Sequence, residues 1–198
     1  AVEDPDGSFL DERELPDGNV YHIVGNEGDK TNQGSTHPTD TSDWNDFRRG
    51  SQSRTVNTAA NEAWWRANLD VPTYLSFHAA NRITGNVDLR EGWNHYFYRR
   101  GSDDRWLPIP WDLDMMYFPE THWSGTIDQR NCLSMANIRL EYRNRCRELL
   151  DLICEDGTAN GGQIGQLVEE YRRIIRPQGE PVGWDLLDQY MWNYHPRT

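Results

Sequence analysis

Asp112 and Asp114 stand two residues apart in the run Ile109-Pro110-Trp111-Asp112-Leu113-Asp114, directly after an apolar segment. Two carboxylates this close repel unless a cation or a proton lies between them. Upstream, Asn86-Val87-Asp88 and then Asn94 add a further carboxylate and neutral amide oxygens. Oxygen donors of this kind suit a hard divalent cation such as Mg2+ or Mn2+. Each residue also has a plainer reading. Asp88 follows a helix and can simply close a turn. Asn86 can brace its loop through side-chain-to-backbone hydrogen bonds. Asn94 can be a turn residue, and Asp114 can be an acceptor for nearby backbone N–H groups.

The elements that must position these residues are legible around them. Ala59–Asn68 reads as a helix of good helix formers carrying Trp64 and Trp65. Asp70 is a cap for the next helix, with Pro72 in its first turn. Tyr74, Leu75, His78 and Ala79 share one face of that helix, and Gly85 stops it. His95–Arg100 alternates and is aromatic, Gly101-Ser102-Asp103-Asp104 makes a four-residue turn, and Arg105–Pro110 returns as a β-hairpin. Pro108 and Pro110 mark the second strand as short or at an edge. An acid, an amide, a hairpin and a second acid follow one another in the order used by kinase-fold phosphotransferases to hold a nucleotide–metal complex.

Farther out, residues 25–57 read as an irregular surface loop rich in Gly, Asp, Asn, Thr and Ser. Short extended pieces are expected at Ser8–Leu10 and Val20–Val24. Met135, Ile138, Tyr142, Cys146, Leu149 and Ile153 recur at helical steps, ended by Asp156-Gly157. Ile164, Leu167, Val168, Tyr171, Ile174 and Ile175 form a second helical stripe stopped by Pro177, and Trp184–Trp192 a last short helix. Such stripes are core packing rather than sites. The fold class is α+β and mainly helical, with a small antiparallel β-hairpin at the site, in one domain over residues 1–198.

Composition sets outer bounds. The chain has 198 residues, 36% of them hydrophobic, with nine Trp and nine Tyr, so aromatics supply much of the core. No apolar run reaches the roughly 18 residues that span a bilayer. The net charge of −12 and the lack of a basic run exclude a nucleic-acid binder. An acidic surface also does not attract ATP, so a phosphate site needs local cations or bound metal. Lys30 is the only Lys among the basic residues. Cys132, Cys146 and Cys154 lack the spacing of a zinc site, and Cys146 and Cys154 share one helix, which keeps them from bonding each other. They read as buried thiols, with a bond from Cys132 open to an oxidising compartment. His22, His78, His95 and His122 lack ligand spacing and read as packing or surface residues.

The chain resembles the spore coat protein H (CotH) kinases, an atypical protein-kinase-like group. The resemblance rests on Gly85-Asn86-Val87-Asp88, on Trp93-Asn94-His95-Tyr96-Phe97-Tyr98-Arg99 and above all on Ile109-Pro110-Trp111-Asp112-Leu113-Asp114, with support from Phe9-Leu10, Gly18-Asn19-Val20-Tyr21 and Glu141-Tyr142-Arg143. It implies a kinase-like C-terminal lobe. It implies transfer of the γ-phosphoryl group of ATP to Ser or Thr of a protein, assisted by Mg2+ or Mn2+. Asp88 matches the family's catalytic-loop acid, Asn94 would offer a neutral oxygen to the metal and nucleotide, Asp112 would be the main metal ligand, and Asp114 a second one. It also implies an extracellular, cell-surface or spore-surface location. The chain departs from the family where His22 stands in place of a frequent Lys and where Met115-Met116-Tyr117-Phe118 follows the acidic motif without the usual Gly. A glycine-rich loop and a Lys–Glu pair that grip phosphates are expected in an upstream lobe, beyond Ala1, so that this piece alone binds nucleotide poorly. The alternative is a non-catalytic, pseudokinase-like module that binds a protein or glycan through an aromatic surface. A secreted metal-dependent hydrolase is a third reading that the acids alone permit.

Overall fold

The structure, a computed structural model, describes residues 4–24, 27–86, 89, 94–113, 127–154, 163, 166 and 170. Its elements run α1 (Gly7–Glu12), β1 (Gly18–Val24), β2 (Glu27–Asn32), α2 (Ser42–Ser53), α3 (Ala59–Asn68), α4 (Val71–Ile83), β3 (His95–Arg100), β4 (Trp106–Pro110), α5 (Ile127–Cys132) and α6 (Ala136–Cys154). The class is α+β. The strands form one antiparallel sheet in the order β2-β1-β3-β4, so the hairpin is half of a larger sheet. By compactness the chain divides into Ala1–Leu149 and Leu150–Thr198. Within the second unit, α6 continues to Cys154, and Gln163, Gln166 and Glu170 are helical. The rest of the second stripe and the short helix expected at Trp184–Trp192 lie outside the described residues.

Strand alternation divides the core into two. Register pairs Tyr21 with Phe97 and Val20 with Tyr98. Tyr21, Ile23, Phe97 and Trp106 therefore turn to one face, where they pack with Trp44, Phe47, Trp65, Tyr74, Met135 and Ile138 from the helices. Val20, Tyr96, Tyr98 and Ile109 turn to the other face and meet Leu10 and Phe9 of α1. The sheet is a middle layer, with α1 on one side and the larger helical layer on the other.

Three sequence expectations are corrected. Ser8–Leu10 is helical, because the Asp6 carboxylate accepts hydrogen bonds from the Ser8 and Phe9 backbone N–H groups at 2.9 and 3.2 Å and starts a turn there. The stretch 25–57 is not irregular throughout: it holds β2 and α2. β2 reads Glu-Gly-Asp-Lys-Thr-Asn, a polar edge strand without apolar alternation. α2 buries only Asp43, Trp44, Phe47 and Ser51, a sparse apolar pattern that composition obscures. Lys30 consequently lies on a strand and not in a loop. Its ammonium donates to Gln33 Oε1 and to the Pro38 and Asp40 carbonyls at 2.7–2.8 Å.

A buried carboxylate joins these pieces. Asp43, in the first turn of α2, accepts from the Tyr21 hydroxyl at 2.6 Å, from Asn19 Nδ2 at 2.9 Å, from the Trp44 N–H at 2.9 Å and from Arg99 Nη1 at 3.3 Å. Burial alone would push its pKa up, but the hydrogen bonds from Tyr21, Asn19, Trp44 and Arg99 outweigh this and hold it below the usual carboxylate value. α2, β1 and β3 thus share one ionised acceptor.

Two stability measurements test this packing. At Gly50, inside α2, an added Cβ would lie 2.2 Å from Trp64 Cζ2. Helix propensity favours Ala over Gly by about 1 kcal/mol, whereas overpacking costs about 1–3 kcal/mol. Gly50→Ala is expected to lower the urea midpoint; a raised midpoint would show that the Trp64 ring gives way freely. For Asp43, whose folded value is depressed, the contribution is full above the unfolded value of about 3.9 and fades as pH falls toward the folded value. Asp43→Asn should cost roughly 3–5 kcal/mol at pH 7, and the gap to wild type should narrow between about pH 4 and the onset of acid unfolding. A gap independent of pH would show that Asp43 acts through shape alone.

Candidate functional site

The candidate residues hang on the two ends of α4 and on the open end of the β3–β4 hairpin. Asp70 caps α4 through the Thr73 N–H at 3.2 Å, and its other oxygen accepts from Arg100 Nη2 at 3.0 Å. The Asp70 N–H donates to the Trp106 carbonyl at 3.0 Å. The start of α4 is therefore fastened to β3 and β4. Tyr74, Leu75, His78 and Ala79 are buried, as the spacing implies.

The far end of α4 closes in a left-handed cap. Gly85 has φ 62°, its N–H donates to the Arg82 carbonyl at 3.4 Å, and the Asn86 N–H reaches back to the Asn81 carbonyl at 3.0 Å. This 6→1 and 5→2 pair is the arrangement that glycine permits at a helix C-terminus. Asn86 is buried at 3% exposure, and its Nδ2 donates to Asn81 Oδ1 at 2.7 Å. Asn86 is thus tied by its side chain to the last turn of α4. Leu89, three residues on, is buried as well. Asp88 itself lies outside the described residues, between these two anchors in sequence.

The hairpin places Asn94 and Asp112 at the same end. His95 pairs with Pro110, and Arg99 with Trp106. Asn94 enters β3 and Asp112 follows β4, so both leave the end opposite the Gly101–Asp104 turn. Neighbouring strands lie about 4.8 Å apart. Asn94 is half-buried and Asp112 exposed. Both have left-handed backbones, with φ 60° at Asn94 and φ 50° at Asp112. Asn and Asp tolerate this region better than other non-glycine residues. Strain at two flanking positions is the kind that concentrates where a site is held in a fixed shape. Asp114 lies outside the described residues.

The donor chemistry fits a hard cation: an amide oxygen and an exposed carboxylate at one edge, with two further acids adjacent in sequence. Among the described residues no group of three or more His, Cys, Asp and Glu side chains forms a metal cluster. Asp88 and Asp114 are outside that set, and Asn94 is not one of those types.

Other expectations resolve around this framework. His78 and His95 are buried at 3% and 2% exposure among Tyr74, Phe77 and Phe97, which is a packing role. Burial, then the neighbouring His95, push the His78 value well below that of free histidine. His22 stacks on Tyr96 with ring centroids 4.5 Å apart; His122 lies outside the described residues. Cys132 is buried, Cys146 is a half-buried free thiol, and Cys146 and Cys154 share α6. Trp44, Trp65 and Trp106 are core residues, and Trp64 and Trp111 are half-buried. No helix among the described residues is long and apolar enough to cross a membrane. Asn81 escaped sequence reasoning. Its signal was a polar residue in phase with Tyr74 and His78 on the buried face of α4.

Against known families, the model described as CotH kinase protein matches residues 1–178. No curated protein matches the chain.

The left-handed backbones give a direct prediction. Asp112→Ala should cost about 1 kcal/mol through backbone strain, and Asp112→Gly should cost less because glycine adopts positive φ freely. Urea unfolding of both variants checks the order; the reverse order would remove the claim that Asp112 is held under strain.

Proposed function

The chain belongs to the CotH kinase family, and from that premise we propose that it forms the catalytic, kinase-like C-terminal lobe of an enzyme that transfers the γ-phosphoryl group of ATP to Ser or Thr of a protein. One observation carries the assignment of residues: the β3–β4 register sets Asn94 and Asp112 at the same end of the hairpin, both in left-handed conformations. Asp112 is the principal ligand for Mg2+ or Mn2+, Asn94 supplies a neutral oxygen, and Asp114 is a second ligand. The bound cation would bridge phosphate oxygens and neutralise the charge that develops during transfer.

Asp88 orients the acceptor hydroxyl and takes up its proton late in transfer. Its segment begins at the glycine cap of α4, and α4 begins on the same hairpin that carries Asn94 and Asp112. The glycine cap that precedes this segment and the hairpin that carries Asn94 and Asp112 are therefore joined through α4, and in-line transfer depends on such positioning and electrostatics. The family resemblance favours a location outside the cytoplasm, at a cell or spore surface.

Calorimetric titration with Mn2+ and ATP tests the reading on wild type, Asp112→Ala and Asp112→Gly. Metal-dependent ATP binding is expected in wild type and should weaken by about 10-fold or more, a loss of about 1.4 kcal/mol, in both variants. Loss in the alanine variant only would assign the effect to backbone shape. ATP binding that ignores both the metal and the variants would overturn the assignment.

A further inference from the structure

We propose that the face of α6 lined by Arg139, Arg143 and Arg147 is a docking surface for an acidic segment of a partner protein, a role that does not depend on phosphoryl transfer. The three arginines follow one another at steps of four residues on one helix, so they share a face, and all three are exposed. The rise of the helix spreads them over about 12 Å, with neighbours about 6 Å apart. Like charges one turn apart repel, and acids at the same spacing would relieve the repulsion. Here that relief is missing. Arg139 donates to the Leu133 carbonyl at 3.4 Å, and Arg143 and Arg147 have no ion-pair or hydrogen-bond partner among the described residues. The acids nearest to them serve other arginines: Glu141 pairs with Arg66, and Glu148 with Arg145 at 3.0 Å. Asp151 stands one turn beyond Arg147 and forms no ion pair with it. In a chain of net charge −12, the stripe is a local patch of the opposite sign. Leu140 lies beside it, three residues before Arg143 and seven before Arg147, and is 57% exposed, whereas Ile138 is buried on the core side of the same turn.

Charge and extent together select the partner. Guanidinium groups pair with carboxylates through two parallel N–H···O bonds. A membrane or a nucleic acid carries its charge well past a stripe of about 12 Å. It would bring a continuous anionic surface within the screening length, about 8–10 Å, of the acidic remainder of the protein. A short acidic segment meets the stripe alone. Carboxylates on alternate residues of an extended chain lie about 6.6 Å apart, which matches the arginine spacing, and an apolar residue at one flank covers Leu140.

The probe is a short fluorescein-labelled peptide that alternates Glu with Ser and ends in Leu, titrated with the full chain and read by anisotropy. Wild type should bind it, less tightly as salt is raised from about 50 to about 200 mM. Arg143→Glu with Arg147→Glu should weaken binding by about 10-fold or more, with the melting temperature unchanged because both side chains are exposed and unpaired. Arg49→Glu with Arg105→Glu alters the net charge equally but away from α6, and should weaken binding by less than about 3-fold. Equal loss in the two double variants would assign binding to net charge and overturn the proposal. So would the absence of wild-type binding up to roughly 1 mM peptide, or binding that survives replacement of the Glu residues of the peptide by Gln. If the peptide fails and the α6 substitutions instead abolish self-association in sedimentation equilibrium, or binding to phosphatidylserine vesicles, the face belongs to a second copy or to a lipid surface and the proposal falls.

Discussion

Asp43 is the one carboxylate on which the sheet, the helical layer and the polar connection between them all depend. It is nearly fully buried, yet it accepts from β1, from β3 and from the start of α2. Asn19 extends the same network by accepting from the Gly34 N–H at 2.8 Å, and Lys30 ties down the neighbouring Pro38 and Asp40 carbonyls. A buried charge is tolerable only when its acceptor sites are filled. Here the donors come from separate elements, so filling those sites fixes the elements relative to one another. Arg99 links this network to the hairpin, because it lies on β3, five residues from Asn94. The sheet position that the network sets is the position from which the Asn94–Asp112 end of the hairpin projects.

At that end the chain accepts local strain. Asn94 and Asp112 occupy left-handed backbone conformations that cost an ordinary residue about 1–2 kcal/mol each. Two such positions at one edge of a two-stranded ribbon would be unstable in isolation. They persist because Phe97 and Trp106 are clamped in the aromatic core and because Arg100 and Trp106 are fastened to Asp70. The rigid part of the hairpin therefore carries the cost of the strained part. The same logic appears at the other end of α4, where Gly85 supplies a left-handed turn at little cost and the Asn81–Asn86 pair removes the freedom that glycine introduces.

What the sequence made legible follows from how strongly each element is signalled locally. α3, α4 and the β3–β4 hairpin carry their own caps, periodicities and turn residues, and each lies where those signals place it. β2 and α2 do not, because their order comes from partners far away in sequence: β2 pairs with β1, and α2 is fixed by Tyr21, Asn19 and Arg99. α1 depends on a single Asp6 cap in a short segment. The site shows the same division. That Asn94 and Asp112 flank one end of a hairpin was readable because the strands and their turn are signalled locally along the chain. Asn81 was not, because a lone polar residue on a buried helical face says nothing about which loop it will meet.

Charge decides how a nucleotide could approach such a surface. With a net charge of −12, the protein repels a polyanion at long range, and salt screens this beyond about 8–10 Å without reversing it. Four cations of the described residues are already engaged. Arg99 is shared between Asp43 and Asp104, Arg100 between Asp70 and Asp103, and Arg66 between Glu62 and Glu141. Lys30 donates to three oxygens of its own chain. Each of these groups would have to break an existing pair to grip a phosphate. A divalent cation held by Asp112 and Asn94 needs no such exchange, because it brings its charge with it and turns the local acidity from a barrier into a binding determinant. In the proposed reaction the acidic surface and the hard-oxygen edge of the hairpin are then a single design: the protein supplies oxygens and a fixed frame, and the positive charge arrives with the nucleotide.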